Sequence, residues 1–98
     1  MQLTIKWNRR AIRQFDNVIS YIENDSFANA EKVKKDILLK INAILRHPEI
    51  HTPDKYKTNN DNSFRAFEIH RFRISYRLVE NQIRIIRIRH TKMSPLFY

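Results

Sequence analysis

Hydrophobic side chains recur along this chain with two different periods, and the change of period separates helices from strands. Leu3, Ile5 and Trp7 alternate with polar residues, which predicts a short amphipathic strand. Asn8 can then cap a helix, because apolar residues recur every three or four positions over roughly residues 9–23. The apolar stripe of this helix consists of Ala11, Ile12, Phe15, Val18, Ile19 and Ile22.

A second helical stripe follows a short polar break at residues 24–26, where Asn-Asp-Ser ends one helix and caps the next. We expect this helix from about residue 27 to residue 46, since Pro48 disfavours helical geometry at His47. The short connection predicts an antiparallel helical hairpin. The second stripe consists of Ala30, Val33, Ile37, Leu38, Ile41, Ile44 and Leu45.

The period changes to two after residues 48–63, a stretch with two prolines and few apolar side chains that we interpret as a loop. Two strands follow, and a hairpin turn is expected at Glu80-Asn81, looser than a two-residue type I′ turn. The first strand places Arg65, Phe67 and Ile69 on one face. The second places Phe72, Ile74, Tyr76 and Leu78 on one face, and Arg73, Ser75 and Arg77 on the other.

The last strand, at about residues 83–90, changes phase because Ile85 and Ile86 are adjacent. Two explanations remain open: a strand in the interior of the sheet, apolar on both faces, or a bulge between these two residues. In regular alternation the arginines of this strand fall on different faces and cannot form one site. These arginines are Arg84, Arg87 and Arg89.

The element order β-α-α-β-β-β predicts an α+β domain over residues 1–98. We expect the helical hairpin to pack on one face of a mainly antiparallel four-stranded sheet. Trp7, Phe15 and Tyr21 are expected in the core or in the seam between helices and sheet. Tyr76 should also be buried, where its hydroxyl needs a hydrogen-bond partner.

Composition restricts the chemistry further. The chain carries 19 Lys and Arg against 10 Asp and Glu, a net charge of +9, which favours an anionic partner. Cysteine is absent, which excludes disulfides and Cys-ligated metals, and no cofactor or metal is expected. Glycine is absent too, which excludes the Walker loop and the nucleophile elbow. Backbone positions with positive φ should therefore fall on Asn or Asp.

No signal-peptide pattern opens the sequence, and no apolar run is long enough to span a membrane. We therefore expect a cytoplasmic protein without membrane contact.

Several ordered motifs resemble a known superfamily. Residues 71–78 read Arg-Phe-Arg-Ile-Ser-Tyr-Arg-Leu, and residues 83–90 read Ile-Arg-Ile-Ile-Arg-Ile-Arg-His. Trp7 precedes Ala11 in the first strand and helix, and His-Pro-Glu at residues 47–49 follows the second helix. Together these features resemble the RelE/ParE superfamily of type II toxin–antitoxin toxins. The resemblance implies a bacterial growth-arresting toxin that forms a hetero-oligomer with a cognate antitoxin.

The superfamily has two main activities, and the resemblance leaves both open. ParE-like members inhibit DNA gyrase without catalysis, whereas RelE-like members cleave mRNA on the ribosome. RelE-like toxins place alternating lysines on the strand before the Arg-Ile-x-Tyr strand, but this chain has Phe64, Ala66 and Glu68 there. Arg65 lies eight residues before Arg73, as in the ParE pattern. We therefore expect gyrase inhibition, with mRNA cleavage as the alternative.

The two activities would use different residues. If the chain is RelE-like, His90 could transfer protons, Arg73 or Arg89 could stabilise charge on the phosphate, and Tyr98 could stack or act as an acid. The expected target-binding or anion-binding residues are Arg65, Arg71, Arg73, Arg89 and Lys92. A basic nucleic-acid-binding module without toxicity is a third possibility. It is disfavoured because the strands lack the stacked aromatic pattern of an RNA-binding sheet.

Overall fold

The computed structural model describes residues 3–98, so the first two residues of the predicted domain 1–98 lie outside the description. The predicted order β-α-α-β-β-β is confirmed. The elements are β1 (Thr4–Trp7), α1 (Arg9–Glu23), α2 (Phe27–Ala43), β2 (Phe64–Ile69), β3 (Phe72–Val79) and β4 (Gln82–His90). Neither helix is long and apolar enough to cross a membrane, for the part of the chain described.

Both helices begin at the predicted caps. The side chain of Asn8 accepts a hydrogen bond from the backbone N–H of Ala11 at 2.8 Å, and Ser26 accepts one from that of Asn29 at 3.1 Å. Helix α2 ends at Ala43, so the predicted end at residue 46 is wrong. The N–H groups of residues 44–46 bond to carbonyls only three positions back, which tightens the chain into turns before Pro48.

The sheet is mixed and mostly antiparallel, with the strand order β1-β4-β3-β2. β1 pairs in parallel with β4, and the other two pairings are antiparallel. Both helices pack on one face of this sheet, as predicted, and the core lies between the two layers. The predicted α+β architecture is therefore confirmed.

Of the two explanations for the phase change in the last strand, the bulge is correct. The interior position is correct too, but the strand is not apolar on both faces, because its outer face carries arginines. β4 lies in the interior of the sheet, and its pairing with β3 jumps from Ser75–Arg87 to Tyr76–Ile85, which leaves Ile86 as the extra residue of a bulge. The bulge resets the alternation, so that the buried Ile83, Ile85 and Ile88 all belong to the core cluster.

The bulge also overturns the prediction that the three arginines of β4 fall on different faces. Arg84 pairs with Arg77, Arg87 with Ser75, and Arg89 with Arg73, all on the side of β3 away from the helices. Lys6 of β1 is the register partner of Arg84. We call this side of the sheet the outer face. Its cations are Lys6, Arg73, Arg77, Arg84, Arg87 and Arg89.

Aromatic packing matches the sequence prediction in part. The rings of Trp7 and Phe15 lie 5.2 Å apart between centroids, as expected for the seam. Tyr76 is fully buried, and its hydroxyl donates to the carbonyl of Pro48 at 3.3 Å. Burial raises the pKa of Tyr76 to about 12. Tyr21 is 75% exposed, so its predicted burial is wrong; it lies two positions after the buried Ile19 and therefore on a different side of α1.

Two tight turns connect the antiparallel strands without glycine. The loop at Glu80-Asn81 has only two residues, because Val79 pairs with Gln82, so the expected looser turn is wrong. Asn81 has a φ of 64°, as expected for a glycine substitute. The turn between β2 and β3 contradicts the expectation that positive φ values fall on Asn or Asp, because His70 and Arg71 have φ values of 51° and 67°.

Arg71 is an exposed, non-glycine residue in the left-handed region, so its backbone conformation is strained. We expect Arg71→Gly to raise the free energy of unfolding by about 1 kcal/mol. Urea denaturation would measure the change. Arg84→Gly, in the middle of β4, is the matched control and should lower stability by about 0.5–1 kcal/mol. Equal losses in both variants would show that the turn is not strained.

Candidate functional site

A buried carboxylate organises the outer face of the sheet. Asp54 lies in the loop before β2, and its side chain is 0% exposed. One carboxylate oxygen accepts from Arg73 Nη2 at 2.8 Å and from the backbone N–H of Tyr56 at 3.1 Å. The other accepts from the hydroxyl groups of Ser75 at 2.9 Å and Tyr98 at 2.7 Å. Four donors from three parts of the chain therefore converge on one side chain.

The pKa of Asp54 reflects two opposing effects. Burial alone would raise it, because a desolvated carboxylate is less stable when charged. The hydrogen bonds from Arg73, Tyr98, Ser75 and the N–H of Tyr56 outweigh burial and hold the pKa below its ordinary value of 3.8. Asp54 is therefore ionised at neutral pH and serves as the permanent counter-ion of Arg73.

The C-terminal residues lie across the outer face and are held by the same cluster. The backbone N–H of Tyr98 donates to the carbonyl of Tyr56 at 3.1 Å, and the carbonyl of Tyr98 accepts from the N–H of Thr58 at 2.7 Å. Its ring lies 4.0 Å from the guanidinium carbon of Arg87, a cation–π contact. Burial and the bond to Asp54 raise the pKa of Tyr98 to about 12. Tyr98 is therefore a hydrogen-bond donor at neutral pH, not a base.

A small crevice lies beside this cluster, between the end of the sheet and the chain after β4. We call it the arginine crevice, after Arg73, Arg87 and Arg89, and His90 also lines it. Arg87 donates to the carbonyl of Leu96 at 2.7 Å, and Arg89 to that of Ser94 at 3.0 Å. The volume is about 50 Å³, the space of one or two water molecules.

Arg73 is engaged on two sides but retains one free donor. It bonds to Asp54 and, through Nη1, to Glu68 at 2.9 Å. Although burial opposes the charge of Arg73, these two carboxylates raise its pKa. Its Nε is buried and has no hydrogen-bond partner among residues 3–98. The crevice therefore combines a largely neutralised arginine with Arg87, which lies in no salt bridge within the described chain.

His90 lies at the rim of the arginine crevice. Its Nδ1 accepts a hydrogen bond from the backbone N–H of Lys92 at 3.0 Å, and its ring meets Phe72 edge-on at 5.1 Å. This bond implies that the proton of a neutral His90 ring is on Nε2. In this arrangement the Nδ1 lone pair of His90 is engaged by Lys92, and Nε2 is the hydrogen-bond donor of the neutral ring.

The other predicted anion-binding residues do not form one site. Arg65 belongs to the helix-facing side of β2, opposite Tyr76, and donates to the carbonyls of His51 at 2.7 Å and Glu49 at 3.4 Å. It is therefore separated from Arg73 by the sheet and anchors the loop. Arg71 and Lys92 are exposed at the end of the sheet where His90 lies.

The structure therefore brings together only part of the predicted set. Arg73, Arg89 and His90 share the crevice, and Tyr98 reaches Arg73 through Asp54. Two residues of the site, Asp54 and Arg87, were not predicted from the sequence. Asp54 lies in an aperiodic loop, where no pattern links it to β3. The bulge at Ile86, one of the two alternatives, was the signal that could have placed Arg87 beside Arg89.

No group of three His, Asp or Glu side chains within residues 3–98 converges to hold a metal ion.

Comparison with known proteins gives a family and two structural neighbours. A sequence model described as "ParE toxin of type II toxin-antitoxin system, parDE" matches residues 5–95. No curated protein sequence matches the chain. A chain from the chromosomal ParDE TA system of P. aeruginosa superposes with a TM-score of 0.71 at 18% identity, covering 93% of this chain and 98% of the neighbour.

A second similar structure comes from the toxin-antitoxin complex RelBE2 of Mycobacterium tuberculosis. Its TM-score is 0.60 at 15% identity, with 92% of this chain and 99% of the neighbour covered. At these identities the two structures support the fold, and the match to the sequence model supports the family.

The contacts of Asp54 predict a large effect of its substitution. We expect Asp54→Asn to lower the free energy of unfolding at pH 7 by about 3 kcal/mol, because Arg73 loses its buried counter-ion. Chemical denaturation would measure this. Asp16→Asn, on the exposed surface of α1, is the matched control and should leave stability nearly unchanged.

The same pair of proteins should differ in pH dependence. The folded-state pKa of Asp54 lies below its ordinary value of 3.8. The ionised carboxylate therefore contributes fully to stability above about pH 3.8, and this contribution is lost as the pH falls through the folded-state pKa. The stability gap between wild type and Asp54→Asn should therefore narrow below pH 4. A gap that stays constant down to pH 2 would contradict the ionised carboxylate.

Proposed function

Because this chain belongs to the ParE toxin family of type II toxin–antitoxin systems, we propose that it arrests bacterial growth by binding and inhibiting DNA gyrase. The observation that carries the choice of gyrase is the engagement of Arg73 and Tyr98 by Asp54. These are two of the three residues that mRNA cleavage would require. Both serve the buried carboxylate, which suits a structural role better than a catalytic one.

The remaining requirements of a ribonuclease are also poorly met. Cleavage of RNA needs a base for the 2′-hydroxyl and cations for the developing phosphate charge. His90 has its Nδ1 occupied, and Tyr98 keeps its proton at neutral pH. The three β2 positions that face outward hold a half-buried Phe64, a buried Ala66 and a Glu68 bound to Arg73. None of them can supply a cation.

One observation favours the second candidate, ribosome-dependent mRNA cleavage. Arg73, Arg87 and Arg89 line the arginine crevice, where Arg87 and Arg89 could bind a phosphate. At about 50 Å³ the crevice does not hold a nucleotide, so this activity requires residues 93–96 to move away.

Purified components can distinguish the two activities. We expect the protein to inhibit supercoiling of relaxed plasmid by gyrase and to leave mRNA intact on translating ribosomes. Reversing the exposed charges in Arg71→Glu/Lys92→Glu should weaken gyrase inhibition about tenfold, because rim charges control association. His90→Gln should change it less than twofold.

Primer extension on ribosome-bound mRNA would detect cleavage, which is the outcome that contradicts the gyrase proposal. If the chain cleaves mRNA and His90→Gln reduces the rate by about 10²–10⁴-fold without unfolding the protein, the ribonuclease activity is correct and the gyrase proposal fails. A plasmid relaxed by another topoisomerase, without gyrase, is the control for direct effects on DNA.

We further propose that a cognate antitoxin, encoded beside the toxin, binds it in the cytoplasm. Family membership and the net charge of +9 support a complex with an acidic partner segment. The neighbours from the ParDE and RelBE2 systems are consistent with such pairing. The exposed Arg71 and Lys92, at the end of the sheet, provide complementary charge.

Antitoxin binding should be visible as stabilisation. With the adjacent gene product at a hundredfold excess over its dissociation constant, the toxin gains about 2.7 kcal/mol. For a domain of this size that corresponds to a rise in Tm of about 10 °C or more. Differential scanning fluorimetry would measure it, with an unrelated acidic protein as control. No shift with the adjacent gene product would contradict the pairing.

A further inference from the structure

A second group of cations on the outer face lies apart from the arginine crevice. Lys6, Arg77 and Arg84 line a groove of about 380 Å³, and Phe64 and Ile86 contribute apolar surface to it. We call this the cationic groove. Arg84 is the register partner of both Lys6 on β1 and Arg77 on β3, so the three cations stand on three neighbouring strands. Adjacent strands are about 4.8 Å apart, so the row spans about 10 Å.

The charges of this row are not neutralised. Within residues 3–98, none of the three cations lies in a salt bridge, in contrast to Arg73 with its two carboxylates. Arg84 Nε donates to Gln82 at 2.7 Å, and Arg77 Nε donates to the hydroxyl of Ser63 at 3.2 Å. Like charges opposite each other destabilise a sheet. Folding therefore leaves a concentrated positive row that an anion would stabilise.

The carboxylate of Asp61 interacts electrostatically with one cation of this row, Arg77. Hydrogen bonds from Ser63 are the main cause of its lowered pKa, and the charge of Arg77 lowers it further. The Asp61 carboxylate is exposed and lies in no salt bridge in the described chain. It therefore reduces the field of the groove beside Arg77, while no salt bridge among residues 3–98 offsets Lys6 or Arg84.

Two aromatic residues line the groove. Trp7 alternates with the outward Lys6 in β1, so its ring packs on the helix-facing side, 5.2 Å from that of Phe15 between centroids, while the ring of Phe64 contacts cations. The guanidinium of Arg77 lies 4.6 Å from the centroid of Phe64, and the Lys57 ammonium lies 4.8 Å from it. An unpaired base would need a free ring face to stack upon. The groove is therefore equipped to contact phosphates and lacks a platform for reading single-stranded bases.

We propose that the cationic groove binds the sugar–phosphate backbone of duplex DNA without sequence preference. We favour DNA over an acidic peptide as the ligand because DNA carries its negative charges closer together. Each strand of duplex DNA carries one negative charge per about 3.4 Å of the helix axis. Carboxylates on one side of an extended peptide are at least about 6.8 Å apart. This binding goes beyond the proposed function, because it requires neither gyrase nor the ribosome.

Fluorescence anisotropy with a labelled 20-base-pair duplex of mixed sequence tests the proposal. Three phosphate contacts predict a slope of about −2.7 for the logarithm of the binding constant against that of salt concentration. Affinity should therefore fall about 40-fold between 50 and 200 mM salt. The variant Lys6→Gln/Arg77→Gln/Arg84→Gln should abolish this binding and its salt dependence.

The matched control removes the same charge from the opposite side of the molecule. Lys34→Gln/Lys35→Gln/Arg46→Gln alters exposed residues on and just after α2, and should retain the slope and most of the affinity. Equal losses in the two triple variants would overturn the groove as the site and indicate a general charge effect. Since Arg77 is half-buried, the single variant Arg84→Gln gives a second test, and it should reduce the slope by about 0.9.

Competing ligands decide the remaining alternatives. A single strand of the same sequence should bind more weakly than the duplex, and polyglutamate of equal charge should compete poorly. Preference for the single strand, or equal competition by polyglutamate with the same sensitivity to the triple variant, would overturn the assignment to duplex DNA. Absence of duplex binding at 50 mM salt would also overturn the assignment to duplex DNA, but it would not contradict the proposal that the protein inhibits gyrase.

Discussion

The charge of Asp54 is the constraint on which the outer face of this protein depends. A carboxylate buried in a loop is stable only if donors surround it. Here β3 supplies Arg73 and Ser75, the loop supplies an N–H, and the chain terminus supplies the hydroxyl of Tyr98. One side chain thus attaches the 48–63 loop and the residues after β4 to the sheet.

This attachment divides the basic outer face into two regions with different electrostatics. At one end, Asp54 and Glu68 offset Arg73, and the chain after β4 covers Arg87 and Arg89 with backbone carbonyls. At the other end, Lys6, Arg77 and Arg84 stand without such partners. The positive charge of the outer face is therefore concentrated where the sheet is uncovered, and it is weaker at the residues that resemble a catalytic set.

The bulge at Ile86 is the second feature that the site depends on. It keeps three isoleucines of β4 in the core while moving Arg87 and Arg89 onto the face that Arg84 also occupies. Without this extra residue, one half of the strand would place arginines in the core and isoleucines in solvent. Core packing and the cationic outer face thus follow from the same local irregularity.

The sequence by itself determined the elements and the fold class. Its apolar periods, Asn8, Ser26 and the alternation in β3 specify structure locally, and the family resemblance rests on motifs within these elements. Only the tertiary structure decided the site. Asp54 contacts Arg73 and Tyr98, which lie 19 and 44 positions later in the chain. Strand pairing places Arg65 and Arg73 on opposite faces of the sheet. Such contacts depend on register and on loop paths, which no periodic pattern encodes.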